Sequence, residues 1–150
     1  MSDATTDGPV AVVERLKRAV NDHDLDAMVA LFHPDYASRQ PVHPGRVFLG
    51  REQVRANWGA MFAGIPDLTA ELIRSTEDGE LNWCEWAWSG TRSDDEQPFE
   101  ARGVTLFRIR DDLIVEGTLY MEDLERDVIG IEDAVERLSG ARPARSDPGA

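Results

Sequence analysis

The stretch Phe99 to Asp123, FEARGVTLFRIRDDLIVEGTLYMED, decides the fold. Ala101, Gly103, Thr105, Phe107 and Ile109 alternate with Arg102, Val104, Leu106, Arg108 and Arg110. After Asp111-Asp112, Ile114, Glu116, Thr118 and Tyr120 alternate with Val115, Gly117, Leu119 and Met121. Period-two alternation rich in β-branched and aromatic residues, interrupted by adjacent aspartates, predicts an antiparallel hairpin. Apolar residues lie on both faces near the middle, so the sheet is covered on one side and contacted on the other.

Period two also holds over 68–77 and 80–91, with Asp78-Gly79 as the turn and an acidic loop at 93–97. Upstream the spacing is helical. Pro9 sits in a first turn, where its missing N–H costs nothing. Val10, Val13, Leu16, Lys17 and Val20 then form a stripe. Asp24 caps a short second helix carrying Leu25, Met28, Val29 and Phe32, stopped by His33-Pro34-Asp35. The segment 36–49, with two prolines and a glycine, reads as an irregular edge strand and loop. Gly50 opens a third helix with Val54, Trp58, Met61 and Phe62 on one face, ended by Gly64 and Ile65-Pro66. A last amphipathic segment carries Ile129, Ile131, Ala134, Val135 and Leu138. One domain over 8–138 is expected, with flexible termini at 1–7 and 139–150.

Sixteen basic against twenty-nine acidic residues give a net charge of −13. A polyanion would be repelled, so nucleic acid and anionic membrane are not expected partners. The single Cys84 excludes an internal disulfide. With no leader pattern and no long apolar run, a cytoplasmic protein is the expected setting.

This α+β order resembles the nuclear-transport-factor-2-like superfamily, and within it the SnoaL-like polyketide cyclase group. The resemblance is carried by LFHPDY (31–36), LG (49–50) before a helix, IPDL (65–68), EWAWSGT (85–91), GVTLFRIRDDLIVEG (103–117) and LYMEDLE (119–125). It spans about residues 10 to 125. It implies a cone-shaped α+β barrel: three N-terminal helices packed in a strongly curved antiparallel sheet, with a pocket at the open end. Relatives of this fold include isomerases, dehydratases, epoxide hydrolases and catalytically silent domains, so fold alone does not select a function.

In the register the resemblance implies, the concave face presents Cys84, Trp86, Trp88 and Gly90, then Ala101, Gly103, Thr105 and Phe107, then Ile114, Glu116, Thr118 and Tyr120. Tyr36, Trp58, Met61, Phe62 and Leu68 approach from the helices and rim, with Gln40 on the preceding strand. Such a cavity suits a flat, apolar small molecule, although aromatics at these positions can equally fill a core. Glu116 among apolar neighbours would have a raised pKa suited to general acid or base work; alternatively it lies near the open end or pairs with Arg39 or Arg46. His43 could serve as a rim base, or simply be solvated. Tyr120 and Tyr36 complete the set of candidate proton carriers.

Ketosteroid isomerases carry an aspartate before a proline where this chain has Gln40-Pro41, and a second acid where it has Gly103. An amide cannot shuttle protons, so that mechanism is not expected. Histidines at 23, 33 and 43 lack metal-ligand spacing, and no cofactor is required. Three readings stay open. They are a cofactor-independent isomerase, cyclase or dehydratase; a noncatalytic binder of a small apolar or aromatic molecule; and a dimerisation or interaction domain with a filled core. Trp83, Ala87, Val104, Leu106, Val115, Leu119 and Met121 are expected to form an apolar convex face through which a homodimer assembles.

Overall fold

A computed structural model describes residues 8–144. Two helices, α1 (Pro9–Asn21) and α2 (Leu25–Val29), are followed by strands β1 (Phe32–Arg39) and β2 (Phe48–Leu49) and by α3 (Arg51–Gly64). Four long strands come next: β3 (Thr69–Asp78), β4 (Leu81–Thr91), β5 (Pro98–Arg110) and β6 (Leu113–Asp123), and α4 (Ile131–Ser139) ends the fold. The six strands form one sheet in the order β2-β1-β6-β5-β4-β3, with β2 and β3 as its edges. This is the expected α+β class, with helices α1 to α3 before the long strands. None of the helices described is long and apolar enough to cross a membrane.

The β5–β6 hairpin forms as the sequence predicts. Asp111 and Asp112 both adopt left-handed backbone (φ 52° and 59°), the conformation of a two-residue hairpin turn that matches the twist of its strands. Asp112 Oδ1 then accepts from the Gly8 amide at 3.3 Å, tying the start of α1 to the hairpin tip. On β5, Ala101, Thr105, Phe107 and Ile109 are buried, as the alternation requires.

Beyond the turn the phase breaks. Arg110 pairs with Leu113 and Ile109 with Ile114, but Arg108 pairs with Glu116, leaving Val115 as an extra residue on β6. This β-bulge turns every later side chain to the opposite face. Gly117, Leu119 and Met121 therefore face inward, while Glu116, Thr118 and Tyr120 face outward. The inward placement expected for Glu116, Thr118 and Tyr120, and the outward one expected for Leu119 and Met121, are both reversed.

The sheet is also not wholly antiparallel. β1 runs parallel to β6, starting at Phe32, a residue the helical spacing placed on the second helix. Pairing lapses between Phe32 and Ala37, the interval containing Pro34, which has no N–H to donate. Tyr36 and Ser38 are buried on the inward side of this strand. Along α1 the buried stripe is Val12, Val13, Leu16, Ala19 and Val20, one step round from the expected Val10 and Lys17. Asn21 ends α1 by clasping the edge strand: its Nδ2 donates to the Ala70 carbonyl at 3.0 Å and its Oδ1 accepts from the Ala70 amide at 2.7 Å.

At the C-terminus Ser139, expected to open a flexible terminus, is the last residue of α4. Gly140 caps that helix in left-handed backbone, and Arg142 folds back onto Glu132, Asp133 and Glu136 at 2.7–3.1 Å. The expectations for residues 1–7 and 145–150 lie outside the described residues.

Candidate functional site

The core between α1, α2, α3 and the concave sheet contains a cavity of about 60 Å³. Its sheet wall is Ala70 on β3, Trp86 and Trp88 on β4, Thr105 and Phe107 on β5, Leu119 on β6, and Phe32, Tyr36 and Ser38 on β1. Leu16, Val20, Met28, Val54 and Trp58 close it from the helices. Six of the ligand-contact residues expected from sequence are therefore brought together here: Tyr36, Trp58, Trp86, Trp88, Thr105 and Phe107. Trp58 and Trp88 meet edge-to-face, with ring centroids 5.4 Å apart, and both are half-buried.

The hydroxyls of the wall are already engaged with neighbours. Thr105 Oγ1 accepts from Trp86 Nε1 at 2.8 Å. Tyr36 is 3 % exposed. Burial pushes its phenol up to about 12, only partly opposed by a hydrogen bond with Ser38, so at neutral pH it is a proton donor and not a base. Behind Trp86, burial raises the Cys84 thiol to about 11 against the smaller effect of its hydrogen bond with Thr105. That thiol is protonated and inert at neutral pH.

The remaining candidates lie elsewhere. Glu116 is exposed and receives Arg108 Nε at 3.1 Å on the outer face. The sequence suggested an arginine partner at 39 or 46; the sheet register supplies Arg108 instead. Thr118 is also on the outer face and accepts from Arg39 Nε at 3.0 Å, while Tyr120 is 41 % exposed there. His43 sits on the outer loop with Nε2 2.7 Å from Glu122 Oε1. Gln40 continues the inward alternation of β1, but its Oε1 accepts from Arg46 Nη1 at 3.1 Å and it does not line the cavity. Phe62 stacks on His23 at 4.4 Å, and His23 Nε2 lies 2.7 Å from the Leu68 carbonyl oxygen. Met61 lines a separate shallow groove with Ile65, Ser93 and Phe99.

The proposed proton carriers Glu116, Tyr120 and His43 thus share no site with the cavity. A carboxylate at position 103 is sterically excluded as well. A Cβ there would lie 2.0 Å from the Tyr120 carbonyl oxygen and 2.8 Å from Met121 Cα, because β6 crosses close over Gly103.

The sequence reading missed Leu16, Val20, Met28, Phe32, Val54, Ser38, Ala70 and Leu119 as wall residues. The helical ones were legible as a stripe but not as facing a void. Ser38 could have been found from its two-residue spacing to Tyr36. Leu119 was hidden by the bulge.

No curated protein matches the chain. The solved structure of IdmH, a candidate polyketide cyclase from Streptomyces antibioticus, superposes with a TM-score of 0.67 at 26% identity, over 76% of this chain and 91% of that one. A SnoaL-like polyketide cyclase candidate from Jannaschia sp. CCS1 shares the fold at 20% identity and a TM-score of 0.66, over 81% and 92%. A protein with a ketosteroid isomerase-like fold from Catenulispora acidiphila, solved in complex with trimethylamine, does so at 21% identity and 0.64, over 73% and 83%. Residues 13–117, from the first helix through the bulged strand, match the family model of the SnoaL-like domain. The chain belongs to the SnoaL-like domain family.

Proposed function

We propose that this protein binds a small, neutral, mainly apolar molecule inside the cone and carries no acid–base group poised on it. The observation that carries this reading is the composition of the wall. Three tryptophans, two phenylalanines and aliphatic side chains surround the cavity, with the hydroxyls of Tyr36, Ser38 and Thr105 and the indole N–H groups as its side-chain polar groups. Desolvation there would penalise a charged ligand, whereas a neutral ring gains apolar contact. Proton transfer needs a group titrating near neutrality, and the Tyr36 phenol near 12 does not. The likeness to IdmH, a candidate polyketide cyclase, supports a small-molecule role.

The cavity of about 60 Å³ is well below the ~300 Å³ at the lower end of drug-sized sites. It has room for a few water-sized groups, so a larger ligand requires the Trp58–Trp88 pair to part. Titration with neutral monocyclic phenols and monoterpenes, read on the indole N–H resonances of Trp58, Trp86 and Trp88, tests the reading. Saturable shifts are expected, and Ala70→Leu, which fills the cavity from β3, should abolish them in a folded protein. Indole resonances that no compound moves would instead leave a filled core.

A second proposal rests on the outer face. After the bulge correction it carries Trp83, Val104, Leu106, Val115 and Tyr120, with Trp83 44 % exposed. We infer a homodimer through this face, since a second copy would remove these rings from water. Leu106→Lys should release monomers in light scattering. A monomeric wild type at micromolar concentration would remove the proposal.

A further inference from the structure

Asn82 is the one described residue with a buried side-chain nitrogen left without a hydrogen-bond partner. It is 1 % exposed on the inner face of β4, and its Nδ2 reaches no acceptor among the described residues. An unmet buried amide donor is destabilising, because it gives up its water partners on folding and gains no other. A residue that only filled the cone would be leucine, of similar size and without that penalty. Local rules broken at a net cost are expected where a site needs the group.

The sheet register places this donor. Asn82 pairs with Phe107, Phe107 with Gly117, and Gly117 with Ser38. A Cβ on Gly117 would lie 2.0 Å from the Tyr36 hydroxyl, so that hydroxyl rests directly over Gly117. One level of the cone therefore carries Asn82, Phe107, the Tyr36 hydroxyl and Ser38 in sequence. The last three line the cavity, and Asn82 stands one strand spacing, about 4.8 Å, beyond Phe107.

We propose that Asn82 is a ligand-binding residue: its Nδ2 donates to a carbonyl or ether oxygen at the leading end of the bound molecule, reached when the Phe107 ring swings aside. This rests on the small-molecule reading above and adds to it a polar requirement at one end. Ligands with a hydrogen-bond acceptor would be selected over hydrocarbons of the same shape, because the hydrocarbon leaves the donor unmet.

The test compares acetophenone with ethylbenzene, which differ by a carbonyl in place of a methylene. Affinity is read from the indole resonances, and contact from the Asn82 side-chain amide resonances. Wild type should prefer acetophenone by about 5–10-fold, the ratio one net hydrogen bond supports. Only acetophenone should shift the Asn82 amide. In Asn82→Leu the preference should fall to about one-fold while ethylbenzene binding is retained or improved. If Asn82→Leu does not fold, the wild-type amide shift decides alone. Equal affinities, or an Asn82 amide that ignores the ketone, would overturn the Asn82 assignment and leave the binding reading standing. If neither probe moves Trp58 or Trp88, the binding reading falls and this proposal falls with it.

Discussion

Arg108 Nε donates to Glu116 Oε2 across the β5–β6 pair at 3.1 Å, on the outer face of the sheet. Arg108 also lies 3.8 Å from Glu80, and Arg110 reaches the same Glu80 at 2.9 Å. The carboxylate that looks most catalytic in the sequence is thus part of an exposed charge ladder. Its position follows from one extra residue, Val115. Exposed pairs of this kind contribute little, because solvent screens them and holding two long side chains costs entropy.

Glu116→Gln should therefore leave ligand binding unchanged and move the thermal midpoint by no more than about 2 °C. Calorimetry and the indole titration both read this. A variant that binds ligand several-fold more weakly would place Glu116 in the site after all.

Most of the fold was legible from spacing. The hairpin turn, the Asp24 cap and the limits of α1 and α3 follow from local pattern, and the inward faces of β4 and β5 from the register the family resemblance implies. The failures share a cause. A bulge is invisible to a period-two reading when both faces carry apolar residues, as Ile114 and Val115 do on β6. The parallel pairing of β1 with β6 joins segments about eighty residues apart, with no local signal. The aromatic half of the cavity was legible because Trp86, Trp88, Thr105 and Phe107 precede the bulge. The proposed proton carriers were lost because Glu116 and Tyr120 follow it.

The phenol of Tyr36 gives a pH prediction. Its folded value of about 12 lies above the ordinary 10.0. As pH rises past 10 the unfolded chain loses this proton while the folded chain keeps it, so stability falls between about 10 and 12. The loss from this group is on the order of 2–3 kcal/mol. Tyr36→Phe should remove that part of the alkaline loss. In Tyr120→Phe, the remaining tyrosinate absorbance should emerge only near 12 or upon unfolding. Ionisation near 10 in a folded protein would contradict the burial.

Asn21→Ala removes both hydrogen bonds by which α1 holds Ala70 on the edge strand. The clasp is partly solvated, so about 1 kcal/mol is expected, below the sum of two buried bonds. Hydrogen exchange gives a sharper reading. The Ala70 amide, which donates to Asn21 Oδ1, should lose protection, whereas amides of the central strand β5 should keep theirs. Uniform loss across the sheet would show that Asn21 supports the whole fold.

Gly117 packs tightly against Tyr36, which lines the cavity. A methyl group on Gly117 would stand 2.0 Å from the Tyr36 hydroxyl oxygen and 3.0 Å from the ring carbon bearing it. The side chain of Tyr36 is buried between Phe32 and Phe48, at 4.7 and 6.0 Å between ring centroids, so it cannot retreat cheaply. Gly117→Ala should cost about 1–3 kcal/mol by overpacking. Removing the hydroxyl with Tyr36→Phe takes away the nearest clashing atom and leaves the ring carbon at a distance a small shift can relieve. In the Tyr36→Phe background Gly117→Ala should therefore cost much less. The double-mutant cycle should return a coupling of about 1 kcal/mol or more, measured by denaturant unfolding. Strict additivity would mean that the Tyr36 hydroxyl does not rest on Gly117.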